Sequence, residues 1–305
     1  MKTEALEQSV PRSRVLDYVE LMKPELTGLS TLTTVCGYYL ASTGGFDVAR
    51  LLHVGMGTLL VGGGAGALNQ FIERDYDAMM KRTERRPLPA GRLLPREALV
   101  FGIVIALAGI AELTVFANAL TGFLAALTIA TYLFFYTPMK RLSPLSTVIG
   151  GIPGAIPPMM GWAAVRGEIT VEAWILFAIL FCWQMPHFYS LAWMYRKDYA
   201  RAGFRILTVT DEQGGKTSAQ ILVYCVALIP ASVAPAFVGL TGTVSTVGAV
   251  LLGTGFLAFS LLLAHHARHD GTEAMVRVNA SSRQLFFASL LYLPALMLLM
   301  SLDKI

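Results

Sequence analysis

Three oxygen-bearing side chains, Asn69, Glu73 and Asp77, recur at every fourth residue where a long apolar run ends. On a helix that spacing puts all three on one face. A ladder of hard oxygen donors suits Mg²⁺, which keeps several waters and bridges a few carboxylates to substrate phosphates. Cations follow at once in Lys81, Arg82, Arg85 and Arg86, placed to hold phosphate oxygens that a metal leaves unneutralised. The pattern reads as a site for a diphosphate ester with an apolar tail. A charged flank after a membrane helix is the plainer reading. Such a flank, however, does not require Asn69 and Glu73 to share a face with Asp77 at the membrane boundary, where polar groups are costly unless used.

Two later clusters carry similar residues. Tyr136 to Arg141 ends in Lys140 and Arg141, and His187 to Gly203 contains Tyr195, Arg196, Lys197, Asp198 and Tyr199. The paired cations would serve equally as stop-transfer flanks, and Asp198 taken alone stays open between flank and site. His187 lies in an apolar stretch about three helical turns before Asp198. A membrane histidine either bonds to a neighbouring helix or acts as a ligand or acid–base group, and both readings stand. His265, His266 and His269 have no carboxylate or cysteine in register and read as interfacial residues, as does Glu112 near the end of its segment.

The elements that must position these residues are membrane helices. The chain has 305 residues, 55% hydrophobic and 14% charged, with mean hydropathy +0.58. An ordinary soluble domain carries about 25% charged residues. Nine apolar segments approach or reach the ~20 residues of a spanning helix. They run Leu26–Thr43, Leu51–Phe71, Ala98–Phe116, Ala119–Tyr136, Ser146–Val165, Glu172–Met194, Ala219–Leu240, Val244–Ala264 and Gln284–Leu302. Met1 to Lys23 is charged and lacks the apolar core of a signal peptide.

Of the 24 Lys and Arg, all but Arg50, Arg166 and Lys304 fall in the amino-terminal tail or after the even-numbered segments. By the positive-inside rule that face is cytoplasmic, with the carboxyl terminus outside. The expectation is an all-α polytopic membrane protein of nine transmembrane helices, with residues 1–23 a cytoplasmic segment and 24–305 a single domain. The basic balance thus reports topology and not a nucleic-acid partner. Cys36, Cys182 and Cys225 lie unpaired in apolar segments and read as small buried hydrophobes. Glycines at 62, 63, 64 and 66 and at 150, 151 and 154 permit close helix approach. Pro153, Pro157 and Pro158 free backbone groups that must be buried or line a cavity, which points to a central chamber.

The order of these clusters resembles the UbiA-type intramembrane prenyltransferases, and within them the protoheme IX farnesyltransferase branch. The resemblance rests on Asn69 through Leu88, on Tyr136-x-x-x-Lys140-Arg141, and on Gly154 through Trp162. It also rests on Pro186-His187-Phe188 with Asp198-Tyr-x-x-Ala-Gly203, and on Arg283-Gln-Leu-Phe286. It extends from about Tyr18 to Pro294. Two positions depart from the branch: Glu25 stands where a basic residue is more usual, and Ser146 where Asn is more usual. Asp198 is followed four residues later by Ala202, without the second acid that quinone-forming relatives carry.

The resemblance implies nine helices and transfer of farnesyl from farnesyl diphosphate to a vinyl group of heme b, with water addition, giving heme O. It implies that Asn69, Glu73, Asp77 and Asp198 bind Mg²⁺, and that Lys140, Arg141, Lys23, Arg82 and Arg86 hold the diphosphate. It makes His187 a candidate for heme contact, at iron or at a propionate. It further implies residence in the cell inner membrane, among membrane lipid, or in the mitochondrial inner membrane of a eukaryote. A heme A synthase or an oxidase assembly factor would then take the product onward. The competing readings are a prenyltransferase for a quinone precursor or other aromatic acceptor, a secondary transporter, and a heme chaperone.

Overall fold

Backbone polar groups in hydrocarbon must be satisfied within the segment, so apolar runs of this length become helices. A computed structural model describes residues 13–45, 47–269 and 271–305. Lys2, Arg12 and most of the expected 1–23 segment lie outside the described residues. In chain order the helices are α1 (Arg14–Leu21), α2 (Pro24–Ala41), α3 (Val48–Asp77), α4 (Pro95–Phe116), α5 (Ala119–Leu142) and α6 (Ser146–Arg166). There follow α7 (Val171–Met194), the short α8 (Arg196–Arg201) and α9 (Leu207–Thr210), then α10 (Gly215–Phe237), α11 (Thr243–His266) and α12 (Thr272–Leu302).

Among the described residues, eight helices are long and apolar enough to cross a membrane: α3 to α7 and α10 to α12. The remaining expected segment, Leu26–Thr43, is not among them by composition. The first expected segment does form a helix, α2, but its 18 residues include Thr27, Ser30, Thr31, Thr33 and Thr34. Those hydroxyls are absorbed by the backbone: Thr31 donates to Thr27 O (2.9 Å), and Thr34 to both Ser30 O and Pro157 O (3.0 Å each). The last helix also begins earlier than expected, at Thr272, and carries Arg277 and Arg283 on its added turns.

Sequential neighbours pack side by side from α2 to α7 and from α10 to α12, with α7 also against α10 and α12, and α12 meeting α2 to close a ring. Half or more of the apolar window is buried in α3, α6 and α7 (50%, 67% and 56%), against 22–28% in α4, α5, α10 and α11. The glycine- and proline-rich helices are thus the inner wall. Their small residues let backbones touch: a Cβ on Gly161 would lie 1.9 Å from Thr34 O, and one on Gly37 2.2 Å from Pro158 O.

Two tethers fix the ends. At the basic face, Arg92 reaches Asp17 and Glu20 of α1 (2.7 Å each), pinning that helix to the loop after α3. At the opposite face, Lys304 Nζ donates to the carbonyls of Tyr39 and Ser42, and Thr241 and Lys304 form an antiparallel bridge.

Candidate functional site

At 30 residues, α3 is long enough to carry its last two turns beyond the apolar layer. Asn69, Glu73 and Asp77 line up there as their spacing requires, and all three are buried, at 1%, 5% and 1% exposure. Each meets a cation. Asn69 Oδ1 accepts from Lys23 Nζ (2.6 Å), and its amide donates to Thr137 Oγ1 (3.1 Å). Both oxygens of Glu73 accept from Lys140 Nζ (2.8 and 2.9 Å), and Asp77 Oδ2 accepts from Arg86 (2.8 Å). The other oxygen, Asp77 Oδ1, is buried and has no partner.

Local backbone explains the convergence. Lys23 sits between α1 and α2 at φ 50°, ψ 64°, the one left-handed residue other than glycine among those described. Gly66 lets that turn press on α3, since a Cβ there would stand 3.1 Å from Leu21 O and 3.4 Å from Lys23 Cγ. Burial pushes the Lys23 ammonium down to about 7, and the Arg86 and Lys140 cations push the same way. An arriving anion would reverse all three effects. Opposite, α5 carries a wider π-turn at Thr131–Tyr136, which brings Tyr132 and Tyr136 onto one wall with Lys140. Lys140 Nζ lies 4.6 Å from the Tyr136 ring centroid.

Below the cations opens a cavity of about 250 Å³, bounded by α2, α3, α5, α6 and α7. Lys23, Lys140, Tyr136, Ser146 and Tyr199 ring its polar end, and Leu29, Val61, Met160, Leu180 and Trp183 line its apolar depth. Gln184 crosses from α7 to donate to Gly151 O (2.7 Å). The segment after α7 roofs the polar end. Phe204, Ile206 and Ala202 pack on Met80, Arg205 N donates to Lys140 O (2.8 Å), and Arg82 stacks over Tyr195 while donating to Tyr199 OH (3.2 Å).

Not every expected residue joins this centre. Asp198 pairs with Arg201 (3.1 Å), and among the described residues no hydrogen bond or ion pair ties it to Asn69, Glu73 or Asp77. Arg141 is exposed and stacks over Tyr76 at 4.6 Å. His187 is buried between Trp183 and Phe286, its Nδ1 bonded to Ser289 Oγ (2.8 Å), and it is not on the cavity wall. Among the described residues no three of His, Cys, Asp and Glu gather as a metal cluster. The oxygen donors nonetheless suit a hard cation: Asp77 Oδ1 is buried without a partner, one helical turn from Glu73 and two from Asn69 on the same face of α3. Thr137 and Tyr132 were not among the expected site residues, whereas Gly66 makes the close approach its glycine-rich run implied. Thr137 sits three residues before Lys140, a helical spacing that signals a shared face.

The chain matches the model of the UbiA prenyltransferase family over residues 30–300. Protoheme IX farnesyltransferase of Solibacter usitatus is 46% identical over 298 residues, covering 94% of this chain and 98% of that one. The protein of the same name from Salinibacter ruber is 42% identical over 287 residues, with coverage of 94% and 98%. Among solved structures, a digeranylgeranylglyceryl phosphate synthase superposes with TM-score 0.73 at 17% identity, covering 94% and 98%. A UbiA homolog from Archaeoglobus fulgidus bound to GPP and Mg²⁺ superposes with TM-score 0.63 at 13% identity, covering 91% and 99%. These two likenesses bear on the fold.

Proposed function

Because the chain belongs to the UbiA prenyltransferase family, we propose that it transfers the farnesyl group of farnesyl diphosphate to a vinyl group of heme b. Water adds in the same reaction, and the product is heme O. The observation that carries the donor half is the buried Asn69–Glu73–Asp77 face, met by Lys23, Lys140 and Arg86, of which Lys23 and Lys140 also line an apolar cavity. The acceptor half rests on the relatives at 46% and 42% identity.

The diphosphate sits at the cavity mouth, where Lys23, Lys140 and Arg86 turn from their carboxyl and amide partners to its oxygens. When bound, Mg²⁺ supplies further neutralisation of the leaving group, and Asn69, Glu73 and Asp77 would hold it. The C1–O bond breaks with its electron pair on the departing diphosphate, the point where fixed cations contribute most to rate. The allylic carbon joins the terminal vinyl carbon, water takes the cationic position that results, and its proton leaves. The apolar wall and the roof from Ala202 to Ile206 keep water from the allylic cation before transfer.

Arg82 reaches the same mouth from its stack on Tyr195 and serves as an outer phosphate contact. Asp198 holds the roof through Arg201, and Arg141 of α5 packs on Tyr76 of α3. Heme contact by His187 would require the acceptor to reach the α7–α12 seam, where Ser289 occupies Nδ1; Trp183, Gln184 and Phe188 are among the α7 side chains that line the cavity. Residues 24–305 act as one domain in the cell inner membrane, with the site on the cytoplasmic face.

The test is incubation of purified protein with heme b, farnesyl diphosphate and Mg²⁺, followed by mass spectrometry of the extracted hemes. A gain of farnesyl plus water, lost in Glu73→Gln and Asp77→Asn, is the expected result. Unmodified heme alongside a prenylated quinone precursor would overturn the acceptor, and no prenylated product at all would overturn the reaction.

A further inference from the structure

Opposite the acidic face, the cavity mouth is formed by the start of α6, a 21-residue helix with no capping side chain and no acid in its first turn. Its first N–H groups are unevenly used. Ser146 N donates to Ser143 O (3.2 Å) and Ile149 N to Leu145 O (3.0 Å). Those of Thr147 and Val148 between them have no acceptor among the described residues. A helix start leaves such donors unpaired and carries partial positive charge, which suits an anion.

A second, independent observation points the same way. Ser146 lines the cavity, is 0% exposed, and its hydroxyl has no hydrogen-bond partner. A buried hydroxyl without a partner costs stability, so its persistence asks for a ligand that supplies one. Its surroundings say which. One turn on, Gly150 lies against Tyr136, where a Cβ would come 2.5 Å from the ring, and Lys140 Nζ lies 4.6 Å from that ring's centroid. Ser146 thus lines the same cavity that Lys140 and Lys23 border.

We propose that Ser146, with the free N–H groups at the start of α6, forms an anion subsite that grips the diphosphate from the side opposite Asn69, Glu73 and Asp77. It is a neutral subsite of hydrogen-bond donors, and it rests on the donor half of the reading above. Cations and carboxylates hold one flank of the leaving group, and oriented dipoles hold the other. Because the donors belong to a rigid inner helix, they fix where the C1–O bond points.

The experiment measures binding of three probes to the detergent-purified protein by titration calorimetry: inorganic pyrophosphate with Mg²⁺, farnesyl diphosphate with Mg²⁺, and farnesol. Ser146→Ala is expected to weaken both phosphate probes about tenfold, the loss of one charge-assisted hydrogen bond. It should leave farnesol unchanged and raise the unfolding temperature of the ligand-free protein, since an unpaired buried hydroxyl is removed. Ser146→Thr, which keeps the hydroxyl, should bind pyrophosphate within about twofold of the parent. Equal pyrophosphate affinity in Ser146→Ala and the parent overturns the proposal. So does parallel loss of all three probes, which would make Ser146 a packing residue. A parent protein that binds neither phosphate probe overturns the donor reading itself, a result distinct from either.

Discussion

Glu73 and Lys140 form an ion pair whose side chains are 7% and 12% exposed, so each compensates the other's burial away from water. Removing one partner leaves the other buried and unpaired, a loss of about 3–5 kcal/mol. Glu73→Ala should therefore lower the unfolding temperature markedly, while the double change Glu73→Leu with Lys140→Met regains most of it and stays inactive. Thermal unfolding beside the heme assay separates the two effects. Lys23 gives the converse case. It bears its ammonium from a left-handed backbone position that glycine adopts freely. In Lys23→Gly the KM for farnesyl diphosphate should rise about tenfold or more, with little change in unfolding temperature. At this scale the acidic ladder was legible because a four-residue repeat has a single helical meaning. The partner of each acid was not, since Lys140 lies 67 residues from Glu73 and Lys23 46 from Asn69, and spacing says nothing across such gaps. Asp198 and His187 sat in suggestive company along the chain, yet folding pairs them with Arg201 and Ser289.

Among elements, hydropathy placed α2 to α7, α10 and α11 close to where they form, and missed the early, charged turns of α12. The threonine-rich α2 is a helix because α3 and α6 enclose it. Its close seam with α6 can be tested directly. Gly161→Ala would drive a methyl into Thr34 O, a backbone atom that cannot swing aside, at a cost of about 1–3 kcal/mol or more. Gly28→Ala, on the same α2 but with nothing within 4 Å, should leave stability unchanged or slightly improved. Unfolding temperatures of the two variants, measured in one detergent, decide the matter; equal values would mean the seam is looser than described. Which helices form the inner wall was half visible in their glycines and prolines. The π-turn in α5 left no sequence mark, because Thr131 to Tyr136 reads as ordinary apolar helix.

For the whole molecule, the charge bias along the sequence becomes a geometric fact. Lys23, Arg86, Lys140 and Arg205 gather at one end, and Arg166 and Lys304 border a hollow at the other. A cysteine placed at Lys197 should be shielded from a membrane-impermeant maleimide added outside intact cells, and one at Glu168 should react; the reverse pattern would invert the orientation. Residues 303–305 add a clasp to the ring that α12 closes against α2. Lys304 grips the carbonyls at the end of α2, Gly242 donates to Asp303 O (2.8 Å), and Ile305 donates to Leu240 O (3.3 Å). A chain synthesised from its amino end threads α2 into the bilayer long before residue 304 exists. Until α12 is made, the ring that it closes against α2 is incomplete. A premature stop before residue 304 would leave that last contact without its clasp, a weakened seam for membrane quality control to find.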